Sequence, residues 1–129
     1  MDMMFDHYIA VDWAQRNMAI ARLTRQAKEP EVIDIPSSIK ELREYLKRLK
    51  GKKILTLEEA GSAQWLYTEL KPHVDEIIVC DPYRNFLLKE GAKNDKIDAK
   101  KLVMLLRAGL LKPVFHTADS FIQIRKIVS

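Results

Sequence analysis

Tyr8-Ile9-Ala10-Val11-Asp12-Trp13 is the stretch whose reading decides the fold of this chain. It is an apolar run rich enough in β-favouring side chains to form a mostly buried strand, and it ends in a carboxylate. Met18-Ala19-Ile20-Ala21-Arg22-Leu23 follows after only Ala14 to Asn17, close enough for the two runs to pair as a hairpin. Glu31-Val32-Ile33-Asp34-Ile35, ended by Pro36, is a third strand candidate. Three strands in succession predict an antiparallel meander.

The period then changes. Ser38-Ile39-Lys40-Glu41 has the spacing of a capping box, with Ser38 at the N-cap and Glu41 three residues on. Ile39, Leu42, Leu46 and Leu49 recur at helical spacing behind it. Lys53-Ile54-Leu55-Thr56-Leu57-Glu58 reads as a strand that again ends in a carboxylate. Gly61-Ser62 opens a second helix carrying Leu66, Tyr67 and Leu70 on one face, with Pro72 as its stop. Glu76-Ile77-Ile78-Val79-Cys80 is a short strand closed by Asp81-Pro82. A short helix over Tyr83 to Glu90 and a longer one over Lys96 to Ala108 follow. The longer one carries Ala99, Leu102, Val103 and Leu106 as its apolar stripe and Gly109 as its terminator. The order is mixed α/β. A last amphipathic pattern, with Phe121, Ile124 and Val128, stops without a cap, which reads as a piece of something longer.

Composition bounds the function. The 129 residues amount to one domain, 47% hydrophobic and 31% charged, which excludes a disordered or fibrous chain. A lone Cys80 can neither close an internal disulfide nor hold zinc by itself, as suits a reducing compartment. Residues 1–7 hold two aspartates and no Lys or Arg, the reverse of a signal peptide, and no apolar run approaches bilayer length. The expectation is a cytoplasmic protein with no membrane partner. The net charge of +4 is unevenly spread. Between Arg84 and Lys112 eight basic residues face three acidic ones, which is +5 and leaves −1 for the rest of the chain. Such a block points to a polyanion, although basic helix faces are commonly plain solvated surface.

Four acids stand where chemistry can use them: Asp12, Glu58, Asp95 and Asp98. Asp12 and Glu58 end predicted strands, and ligands in open α/β sheets gather at the carboxyl ends of strands. Asp95 and Asp98, three apart at a helix start, share one face. Carboxylate oxygens suit Mg²⁺ or Mn²⁺, and four of them can hold the paired cations used in phosphodiester cleavage. Each also has a plainer reading: Asp95 as N-cap with Asp98 at N3, Asp12 as the start of a polar turn, Glu58 and Glu59 as loop charges.

Three blocks taken together, Tyr8-Ile9-Ala10-Val11-Asp12, Glu58-Glu59-Ala60-Gly61 and Lys93-Asn94-Asp95-Lys96-Ile97-Asp98-Ala99, resemble the DEDD transposases. These are insertion-sequence recombinases related to Piv-type DNA invertases, with an N-terminal RuvC-like domain. The family pattern is a strand-end Asp, a Glu-x-Thr-Gly after a later strand, and a Lys-x-Asp-x-x-Asp-Ala helix start. The third block keeps all its key positions, and the likeness runs from Tyr8 to Arg125.

The resemblance implies an α/β, ribonuclease H-like (RuvC-like) mixed sheet: three antiparallel strands, then alternating helix and strand, flanked by helices. That domain would occupy residues 1–115, with 116–129 starting a helical connection to a C-terminal domain that bears a nucleophilic serine. It implies a catalytic, Mg²⁺- or Mn²⁺-binding tetrad of Asp12, Glu58, Asp95 and Asp98. Lys93, Lys96, Lys100 and Lys101, with Arg84 and Lys89, would meet nucleic-acid phosphates. The implied partners are DNA, a guiding bridge RNA and further copies of the full-length protein. The implied activity is metal-dependent DNA strand cleavage and exchange in transposition, incomplete without the serine-bearing domain. The sequence departs from the pattern in having Ala60 where Thr is usual, and Glu59 leaves the register of the second acid open. Alternation favours Glu58, which shares a strand face with Thr56.

Other residues carry weaker signals. Trp13, Trp65, Tyr67 and Tyr83 are candidates for base stacking or for packing. His7, His73 and His116 have no ligand spacing, and Cys80 reads as a small buried hydrophobe. Two rival functions keep the fold: a nucleic-acid-binding or assembly module with vestigial acids, and a free-standing RuvC-like junction nuclease. A phosphotransferase of actin-like type would need clustered glycines, and Gly51, Gly61, Gly91 and Gly109 are scattered.

Overall fold

Alternate residues of the first strand face different helical layers, and that alternation organises the whole domain. The computed structural model describes residues 5–58, 61–80 and 98–111. Its elements in chain order are β1 (His7–Trp13), β2 (Asn17–Thr24), β3 (Glu31–Pro36), α1 (Ile39–Arg48), β4 (Lys53–Glu58), α2 (Ala63–Leu70), a 3₁₀ turn (Lys71–His73), β5 (Glu76–Cys80) and α3 (Ala99–Ala108). The five strands form one sheet in the order β3-β2-β1-β4-β5. β1 pairs antiparallel with β2, and β2 with β3, as a meander. β4 returns parallel to β1, and β5 parallel to β4. The fold is thus a mixed α/β one, a five-stranded sheet flanked by helices.

On one face Ile9, Val11, Met18, Ile20, Leu55, Leu57 and Val79 bury against Leu42 and Leu46 of α1 and Leu66 and Leu70 of α2. On the other face Ala10, Ala21, Leu23 and Cys80 bury against Ala99, Leu102 and Val103 of α3. The small side chains on the second face let α3 lie close to the sheet. Each fully buried Leu or Ile contributes about 1.5–3 kcal/mol relative to exposure, so both layers are needed.

Local signals set the helix ends. Ser38 is extended and its Oγ accepts from the backbone N–H of Glu41 at 3.2 Å, fixing the start of α1. Gly109 adopts φ 75°, and it and Leu110 return hydrogen bonds to the last carbonyls of α3. α2 ends at Leu70, two residues before Pro72, in keeping with Pro72 as its stop, and Pro72 itself sits within the 3₁₀ turn that tightens the helix end. The helix expected from Lys96 instead begins at Ala99, since Asp98 is extended (φ −74°, ψ 169°) and its own Oδ1 accepts from Lys101 N at 2.9 Å. Asp98 is therefore the N-cap, and Asp95 is not the cap of this helix. The expected Tyr83–Glu90 helix, the terminal amphipathic pattern and the boundary at 115/116 all lie outside the described residues.

Candidate carboxylate cleft at the carboxyl end of the sheet

The parallel register between β1 and β4 brings the two strand-end acids together. His7 pairs with Lys53 and Ala10 with Thr56, a constant offset of 46 residues. The paired register ends there, two residues short of Asp12 and Glu58, which stand at the carboxyl ends of the two strands. Both then lie on the α3 side of the sheet, with Ala10 and Thr56, because side chains alternate faces with period two. Glu58 in turn pairs with Cys80 of β5. Asp12 and Glu58 are half-buried, and together with Val11, Trp13, Leu57, Ser62, Leu66 and Leu102 they line a cleft of about 80 Å³.

The direction of α3 brings a third acid to this end. Leu102, one turn into the helix, lines the cleft, whereas Leu106 packs on Phe5 and Ile54 at the opposite end of the sheet. The helix thus descends from the carboxyl to the amino end of the parallel strands. Asp98, at its N-terminus, stands at the carboxyl end with Asp12 and Glu58. Asp98 is exposed and uses one carboxylate oxygen as the helix cap. Among the described residues, no group of three or more His, Cys, Asp or Glu side chains is arranged to hold a metal ion. Asp95, the fourth acid of the expected tetrad, and Glu59, the other candidate for the second, lie outside the described residues.

The basic residues divide. Lys100 is exposed and pairs with Glu29 at 3.5 Å, and Lys101 is half-buried in the first turn of α3. Both sit at the acid-bearing end of the helix. Arg107, from the same basic block, is structural: its guanidinium donates to the carbonyls of Thr24 at 2.8 Å and Ala27 at 2.6 Å. Lys93, Lys96, Arg84 and Lys89 lie outside the described residues, as do Tyr83 and His116.

The remaining candidates resolve by packing. Cys80 is buried, as a small hydrophobe would be. Tyr67 is part of the core. His7 is engaged at the other end of the sheet, with Nε2 on Lys50 O at 2.9 Å and Nδ1 on Arg22 at 3.1 Å. His73 lies at the far end of α2 from the cleft, where burial, followed by the Lys47 and Arg43 charges, holds it below its ordinary pKa. Sequence reasoning used Ser62 only as a helix start. Here it occupies the N-cap position of α2 without making a side-chain capping bond, and it lines the cleft with both acids. A Ser directly before a helix is such a common cap that nothing in the sequence marks it for another role.

The described residues lining the cleft offer hard oxygen donors and hydroxyl chemistry, and neither His nor Cys is among them. Among the described residues no helix is long and apolar enough to cross a membrane. No protein-family model and no curated protein matches this sequence.

Proposed function

We propose that this chain is the N-terminal domain of a DEDD-type transposase, with a ribonuclease H-like fold and a divalent-cation site built on Asp12 and Glu58. One observation carries the reading: Asp12 and Glu58, at the carboxyl ends of the adjacent parallel strands β1 and β4, line one cleft. The strand order β3-β2-β1-β4-β5 supports it, as does the run of α3 that brings Asp98 to the same end. The donor set fits Mg²⁺ or Mn²⁺, since the ionisable groups among the described lining residues are carboxylates.

A divalent cation held there supplies Lewis-acid polarisation of a phosphodiester oxygen. The protein's own groups do the rest. Asp12 and Glu58 would hold the cation, and Asp98 and Asp95 would complete the ligand set. Lys100 and Lys101, at the start of α3, meet strand phosphates together with Lys93 and Lys96. DNA is the substrate, a guide RNA and further copies of the full-length protein are partners, and strand exchange requires the serine-bearing domain.

A second reading, a nucleic-acid-binding or assembly module with idle acids, is favoured by one observation. Asp98 spends a carboxylate oxygen on capping α3. Branched-DNA binding with and without Mn²⁺ separates the two. On the transposase reading Mn²⁺ tightens binding by the wild type and not by Asp12→Asn. Equal binding by both proteins, indifferent to Mn²⁺, favours the module.

A further inference from the structure

We propose that Trp65, backed by Trp13, is a stacking platform for an unpaired nucleobase beside the acidic cleft. This rests on the nucleic-acid reading above and names which part of a strand that end of the domain would take. Trp65 does not belong to the core stripe of α2, which is Ala63, Leu66, Tyr67 and Leu70. It is 46% exposed, among the few large hydrophobic side chains left open to water in the described residues. Trp13 packs against it edge to face, with ring centroids 5.6 Å apart and an interplanar angle of 73°.

That pairing ties the exposed indole to the cleft. Trp13 follows Asp12 directly in β1 and lines the cleft itself. Trp65 is in the first turn of α2, and helical Cα–Cβ bonds lean toward the N-terminus, where Ser62 lines the same cleft. An aromatic already packed on a neighbouring ring presents a flat apolar face, and a nucleobase offers the surface that matches it. A paired base within a duplex has no free face to offer. The occupant is accordingly a single-stranded or extruded base next to the phosphate that the cleft addresses.

The chain has two tryptophans, so tryptophan fluorescence, excited selectively over the four tyrosines, reports on this pair alone. The experiment titrates the full chain and Trp65→Leu with a single-stranded DNA oligonucleotide, its abasic counterpart of equal charge, and the duplex form. Trp65→Phe serves as a conservative variant, unfolding midpoints check that all are folded, and Mn²⁺ heats are measured on the same samples. The expected result is quenching by the intact strand, binding about tenfold weaker in Trp65→Leu, substantial recovery in Trp65→Phe, and no difference among the three proteins toward the abasic strand. Equal affinity of wild type for intact and abasic strands overturns the proposal, as does wild-type binding by Trp65→Leu or a failure of the intact strand to bind. Loss of stacking with Mn²⁺ binding intact leaves the carboxylate reading standing. Stacking without any Mn²⁺ heat defeats that reading and leaves the platform.

Discussion

At the amino end of β1 and β4 charged side chains are tied to backbone, whereas at the carboxyl end they gather around a cleft. Asp6 accepts from Lys52 N at 2.8 Å and from Arg25 at 2.6 Å. Asp75 accepts from Lys53 N at 2.7 Å, and Arg107 gathers carbonyls at the end of β2 and just beyond it. At the other end Asp12 and Glu58 line an opening with Ser62 and Trp13. The same residue types act as structural ties in one place and as candidate chemistry in the other, and the sheet keeps the two apart. Charge changes at the amino end are therefore expected to cost stability through lost backbone bonds, and at the carboxyl end Asp98 carries a tie of the same kind through Lys101 N.

The strongest challenge to that contrast is Arg107→Ala. It removes a charged donor from backbone acceptors that lie around 80 positions away in sequence, Thr24 and Ala27. Chemical denaturation should show a loss of about 3 kcal/mol, from the lost bonds and the carbonyls left bare. Gly51→Ala comes next. Gly51 has φ 109°, and an added Cβ would stand 2.5 Å from Asp6 Oδ2, so both the backbone and the Asp6 tie must give. The expected cost is about 2 kcal/mol by the same measurement.

Asp98 sharpens the comparison because it belongs to both categories. Asp98→Ala should cost about 1 kcal/mol through the lost cap. Asp98→Asn preserves the cap and should be nearly neutral in stability, yet it should weaken Mn²⁺ binding. If the two variants bind Mn²⁺ as the wild type does, Asp98 is a cap and nothing more.

Acid titration probes the amino end. The Lys52 N–H first, and the Arg25 guanidinium second, hold the Asp6 carboxyl below its ordinary value. A carboxylate so favoured stabilises the fold fully above about pH 4, and its contribution drains away as the pH falls through the folded-state pKa. Asp6→Asn should lack that part of the acid slope when stability is followed from neutral pH downward. The smallest effect belongs to Lys100→Ala, below about 0.5 kcal/mol, since its pair with Glu29 is exposed on both sides.

Much of the fold was legible because its determinants are local. The buried strand at Tyr8–Trp13, the Ser38 cap and the Gly109 terminator each act within a few residues, and each appears as read. The placement of β4 beside β1 was not, since no local signal specifies a partner 46 residues away. Arg107 was counted among candidate surface cations because its acceptors are backbone carbonyls, which leave no mark on a sequence. The start of α3 was misjudged because an Asp-x-x-Asp offers two caps, and only the extended backbone at Asp98 decides between them. For the cleft, the strand-end positions of Asp12 and Glu58 were readable, while Ser62 was hidden by its ordinary place before a helix.

The most direct test of the carboxylate cleft is a Mn²⁺ titration by calorimetry on the whole chain, Asp12→Asn and Glu58→Gln, each with and without branched DNA. The account predicts saturable heat from the wild type, lost in both variants while their unfolding midpoints stay near the wild-type value. Variants that bind Mn²⁺ like the wild type, or a wild type that yields no heat even with branched DNA present, would contradict it.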